Sequence, residues 1–150
     1  MRHLCGSHKL GLALGTFAIV LGIATAAWQG LLAPRAARAE GGKVTPVFAY
    51  DLPHLPGQKV TGVLVEYGPG ESSPPHHHTS KGSVVAYVIE GAIRSKVNDG
   101  PVTVYQAGES WVEPPDAAHS VSANASATEP ARLLAVFVAE DGAELTTFDQ

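Results

Sequence analysis

Three consecutive histidines, His76, His77 and His78, follow Pro74-Pro75, and a fourth, His119, lies shortly after Pro114-Pro115. On extended chain successive side chains point to opposite faces, so His76 and His78 share one face and His77 takes the other. Two imidazoles at that spacing, joined by a third from another strand, make a three-nitrogen face. Such a face holds a divalent transition metal and leaves positions open for water or substrate. Taken alone, a histidine run after two prolines is more often a solvated loop. His54, within Pro53-His54-Leu55-Pro56, reads as a surface loop residue. Arg94, the only arginine on the central strands, reads as part of a solvated strand face, with contact to an anionic substrate as the alternative.

The elements that must position these residues are short. Runs rich in Val, Ile and Tyr alternate with Pro and Gly at 60–67, 84–90, 92–97, 102–105, 110–113, 120–123 and 132–139. Val63 and Val65 alternate with Leu64 and Glu66, and no stretch repeats its apolar residues every 3.6 positions, so the prediction is an all-β sandwich or barrel. Asn98-Asp99-Gly100 is a tight hairpin turn. Tyr87, Trp111, Val136 and Phe137 are expected mostly in the core. The run 132–139 is either core or an interface strand.

The first 39 residues have a different character. Arg2 and Lys9 precede an uncharged apolar stretch at 10–27, and Ala37-Arg38-Ala39 stands just before Glu40. This is the pattern of a secretory signal over residues 1–39, cleaved after Ala39. The apolar stretch is 18 residues long, beyond the roughly 7 to 15 of a signal peptide and close to the roughly 20 that span a bilayer. The alternative is therefore an uncleaved anchor helix at 10–27. The basic N-terminus points the following domain outward in both cases, to the periplasm or the exterior. Residues 40–58 form a linker and an N-terminal strand segment, and 59–150 the folded domain. All 14 acidic residues lie from Glu40 onward against six Lys and Arg, a net charge of −8 that disfavours a nucleic-acid partner. Cys5 is the single cysteine, so the domain has no internal disulfide.

Between residues 60 and 138 the sequence resembles the cupins, and specifically a small single-domain cupin of the type-2 conserved barrel. The first cupin motif is a glycine, five residues, His-x-His, a glutamate and a later glycine; here Gly70, His76, His78 and Gly91 match it. The second is a glycine, five residues, a proline, a turn, a histidine and an asparagine; here Gly108, Pro114, His119 and Asn124 match. The resemblance implies a double-stranded β-helix, or jelly-roll barrel, with His76, His78 and His119 as ligands of one divalent transition metal: Fe, Mn, Ni or Zn. It also implies a homodimer. Three departures stand out. The motif glutamate is missing, since counting back from Gly91 gives Val84 and counting on from His78 gives Gly82 or Ser83. Asp116 replaces the turn glycine of the second motif, and Asn124 comes one residue later than the motif has it. Glu113, beside Pro114 and at the parity of Trp111, is the candidate substitute carboxylate, as a metal ligand or a general acid or base; the alternative is a rim carboxylate bonded to a backbone amide or a lysine.

Two functions follow. One is a metal-dependent enzyme of the cell envelope acting on a small organic molecule in the barrel, with oxygenase, lyase, decarboxylase and isomerase chemistry all open. The other is a non-catalytic module that binds a small ligand or metal, which the missing glutamate motivates. A purely structural β-domain would make both motifs coincidental. The membrane is a partner only through an uncleaved N-terminal segment.

Overall fold

The computed structural model describes residues 41–150, all β-strand and connecting turns. The expected signal or anchor helix lies outside the described residues. The strands are β1 (Lys43–Asp51), β2 (Gln58–Tyr67), β3 (Ser72–Ser73), β4 (His76–His78), β5 (Gly82–Glu90), β6 (Ala92–Val97), β7 (Thr103–Gln106), β8 (Ser110–Glu113), β9 (Ala118–Asn124), β10 (Ala131–Glu140) and β11 (Thr146–Phe148). Each of the seven expected runs is a strand to within two residues at either end. The segment read as linker and N-terminal strand contains β1. The very short β3, β4 and β11 lack the length that makes a hydrophobic pattern visible.

Two antiparallel sheets face each other, as in a double-stranded β-helix. One has the order β1-β2-β10-β5-β8, and the other β11-β4-β9-β6-β7 with β3 paired to β9. The space between them is filled by one side of each strand. On β5 that side is Val84, Ala86 and Val88, and on β10 it is Leu133, Ala135 and Phe137, all buried. Trp111 and Ile93 complete the core from β8 and β6.

Tyr87 and Val136 depart from expectation. They have the opposite parity to the core positions of their strands, and Tyr87 is 46% exposed. The outer face of β10 and β5 is itself apolar, so composition pointed inward for residues that register directs outward. Val85, Val112 and Val138 share that outer face, which ion pairs Lys43–Glu66 and Arg132–Glu90 border at one end. Arg132–Ala139 is thus both core, through one parity, and surface, through the other.

The motif residues have structural reasons. Gly91, between β5 and β6, has φ 70°, and a side chain there would press on the Pro130 carbonyl and Ala131. Asp116 also has a left-handed backbone, φ 62°, in a turn closed by the Ala117 amide donating to the Pro114 carbonyl at 3.1 Å. Pro115 sets the preceding φ, and Asp tolerates a conformation for which glycine is the usual residue. Asn124 is buried and clamps the loop after β9: its amide donates to the carbonyls of Gly68 and Glu129, and its carbonyl oxygen accepts from the Ser126 amide. A non-glycine in the left-handed region costs about 1–3 kcal/mol, and the close backbone adds to it. Gly91→Ala should therefore lower unfolding free energy by about 2–4 kcal/mol in urea titrations, while Asp116→Gly changes it by less than about 1 kcal/mol.

Candidate metal centre

Strand parity brings the histidines together. His76 and His78 are buried and His77 is exposed between them. His77 turns outward to Asp149 at 2.7 Å. β4 pairs antiparallel with β9 so that His76 lies directly opposite His119. One ring nitrogen from each of His76, His78 and His119 lies within 4.8 Å of the others. His54 is exposed, and Arg94 alternates with the buried Ile93 and Ser95, so it lies on the outer side of β6.

Each imidazole is anchored through one nitrogen, which frees the other. His76 donates Nδ1–H to the Pro74 carbonyl at 2.8 Å, the contact the Pro-Pro turn presents. His78 Nδ1 lies 3.2 Å from the Leu145 carbonyl and 3.3 Å from the Thr146 hydroxyl. His119 Nε2 meets the buried Ser95 hydroxyl at 2.9 Å. Donation to the Pro74 and Leu145 carbonyls leaves lone pairs on His76 Nε2 and His78 Nε2, while the Ser95 hydroxyl, which can donate or accept, suits either tautomer of His119. Outer partners of this kind orient the histidines of metal sites. Ser95 was not picked out from the sequence, although its parity with buried Ile93 was a usable signal. Leu145 and Thr146 come from distant chain that no local pattern connects to His78.

Glu113 is the second outcome of register. It pairs directly across from Val84 on β5, the position at which the motif glutamate is missing. Cross-strand partners face the same side of a sheet, so the carboxylate enters the interior one strand over from its usual origin. It is 2% exposed. Trp111 Nε1–H donates to Oε1 at 2.9 Å. Oε2 lies 2.8 Å from His78 Nε2 and 3.3 Å from His119 Nδ1; with both rings neutral it has no aligned donor, whereas a proton on His78 Nε2 makes the shorter contact a hydrogen-bonded ion pair. Its alternative as a rim carboxylate paired with a lysine or amide is overturned by this burial.

A buried carboxylate oxygen without a donor is costly. Ligands that share one metal at about 2.0–2.2 Å stand roughly 3 Å apart when adjacent, and their lone pairs aim at the metal rather than at each other. The spacing and misalignment of Oε2 and the two nitrogens fit that arrangement. The three imidazoles form a donor set that suits Fe, Mn, Ni or Zn, and the Glu113 carboxylate stands beside two of them.

Beside this cluster a cavity of about 340 Å³ opens between the sheets. Its walls are largely Val63, Val65, Val84, Leu133, Phe137 and Trp111. Ala86 and Ala135 sit opposite each other on β5 and β10, and their small size leaves the space.

Burial pushes His119 down to about 4, with Glu113 opposing the shift, and burial also lowers His76. Burial pushes Glu113 up, but the His78 and His119 rings and the Trp111 N–H outweigh it, so its net direction is down. His119 thus stays neutral in the fold, whereas its unfolded counterpart, near 6.5, takes up a proton. The unfolded chain binds more protons between pH 6.5 and 4, so stability falls as pH drops through that window. The loss is on the order of 2–3 kcal/mol by pH 4.5, and Glu113 adds to it below its unfolded value of 4.5. Urea denaturation of EDTA-treated protein at pH 7, 5.5 and 4.5 reads this slope; stability that holds level or rises toward pH 4.5 contradicts it.

Comparison with known proteins places the fold in context. The family model described as "Cupin domain" matches residues 63–137, half of the chain. Comparison with curated proteins finds no match. Among solved structures, a conserved protein with a double-stranded β-helix domain from Klebsiella pneumoniae is similar with a TM-score of 0.58 and 20% identity, over 77% of this chain and 90% of that one. An RmlC-like cupin family protein from Methanocaldococcus jannaschii gives a TM-score of 0.53 and 16% identity, over 71% and 85%. Oxalate oxidase, solved with the substrate analogue glycolate, gives 0.56 and 23%, over 72% of this chain and 55% of that one. The two facing sheets, the matched motif positions and the family model agree: this chain belongs to the cupin family.

Proposed function

We propose that this is an exported cupin that holds one divalent transition metal through His76, His78, His119 and Glu113, and acts on a small organic molecule in the adjoining cavity. The observation that carries the reading is the buried cluster of His76, His78 and His119, with the Glu113 carboxylate beside two of its nitrogens. Export rests on the basic, apolar and small-residue pattern of residues 1–39, which places the domain in the periplasm or outside the cell. A bound metal would supply Lewis acidity and open positions for a substrate oxygen.

The chain's own residues do the rest. Trp111 fixes Oε1, so Glu113 offers Oε2 as a single, directed oxygen. That oxygen would offset part of a bound metal's charge. The apolar walls exclude water from a ligand once it is seated. The non-catalytic alternative drew its support from the missing motif glutamate. A carboxylate standing across the strand from Val84 removes that support.

Elemental analysis of the purified full chain tests the proposal, beside a His76→Ala/His78→Ala variant prepared identically. About one equivalent of Fe, Mn, Ni or Zn in the parent and less than a tenth in the variant is the expected result. The metal should also raise the parent's Tm, by linkage, and leave the variant's unchanged. A parent that takes up no metal after reconstitution with each of the four ions sinks the reading.

A further inference from the structure

The same cavity has a second polar centre that the metal reading does not use. Tyr67, Ser73 and Ser122 line its wall. The Tyr67 hydroxyl stands 2.7 Å from the Ser73 Oγ and 2.9 Å from the Ser122 Oγ. Tyr67 is 2% and Ser122 5% exposed. Three hydroxyls carry three O–H donors, and the two hydrogen bonds within the trio use two of them. The third has no other side-chain or backbone partner among the described residues, so the trio has one donor to spare, facing an apolar cavity.

Register bounds the distance between the two centres. Ser73 pairs with Ser122, and His76 pairs with His119, on the same two stretches of chain. Each pair is three residues from the other, roughly 10 Å at full extension, and the register shift of β9 against β6 between His119 and Val121 shortens this while keeping His119 and Ser122 on one face. Less about 2 Å for a metal–oxygen bond and about 3 Å for a hydrogen bond, at most about 5 Å remains, the span across one six-membered ring. The intervening walls are apolar and include Val84, Trp111 and Leu133.

Charge narrows the ligand further. Among the described residues, no lysine or arginine lines the cavity. A dication with three neutral imidazoles and one carboxylate leaves one net positive charge, which a single deprotonated oxygen neutralises. A second negative charge at the far end would be buried against hydroxyls alone, in a domain whose own net charge is strongly negative.

We propose that the barrel selects a single-ring organic molecule with oxygens at opposite ends, one bound to the metal and the other, uncharged, held by the Tyr67–Ser73–Ser122 hydroxyls. This rests on the metal reading above and adds the substrate class to it. Substrates with a charge at both ends are rejected.

Calorimetric titration of the zinc-loaded chain with three ring compounds of similar length tests the inference: 4-methoxyphenol, 4-ethylphenol and terephthalate. Zinc keeps the protein redox-inert, and its content is measured in every sample. The expected order has 4-methoxyphenol binding about tenfold more tightly than 4-ethylphenol, which lacks the second oxygen, with terephthalate weakest. Tyr67→Phe, with zinc content unchanged, should bring the two phenols within about twofold of each other. Ser122→Ala should narrow the same ratio, and it serves if the tyrosine variant fails to fold. A parent that holds zinc but binds both phenols equally, or prefers terephthalate, overturns this inference and leaves the metal site standing. A parent that takes up no zinc overturns the metal reading, and the metal-bound oxygen falls with it.

Discussion

The arrangement depends on one buried negative charge. Glu113 is enclosed between two sheets, held at Oε1 by the Trp111 N–H, with Oε2 beside ring nitrogens of His78 and His119. Burial disfavours a bare carboxylate, but the His78 and His119 rings and the Trp111 N–H outweigh it and hold the carboxyl below its usual range. The proposed divalent metal would serve the same carboxylate and the imidazole nitrogens together.

Register is the means by which the chain builds that cluster. Antiparallel pairing sets His76 against His119 and Glu113 against Val84. The Pro114–Ala117 turn, closed at Asp116, carries the chain from Glu113 at the end of β8 to His119 on β9. The His78 amide donates to the Ala117 carbonyl at 3.0 Å, tying β4 to the same turn. Shifting any of these strands by one residue would turn the ligands to the outer face. The alanines opposite one another on β5 and β10 belong to the same design, because a larger pair would fill the cavity beside the histidines.

Much of this is legible in the sequence. The parity of His76 and His78 follows from period two alone, and the matched cupin motif supplied His119. Glu113 was legible as a candidate through its parity with Trp111, but its opposition to Val84 was not, because pairing between β5 and β8 is non-local. Tyr87 and Val136 misled for a related reason: β5 and β10 are apolar on both faces, so hydrophobicity carries no phase and only sheet position decides the direction. The hydroxyl trio joins residues 67, 73 and 122, and its members are ordinary polar residues until folding sets them around one cavity.

The most direct test of the four-ligand centre is anomalous diffraction from a crystal of the zinc-loaded protein. A single peak about 2.0–2.2 Å from His76, His78, His119 and Glu113 Oε2 is the expected result. A peak bound by the histidines with Glu113 turned away, or one located at the exposed His77 and Asp149, would contradict it.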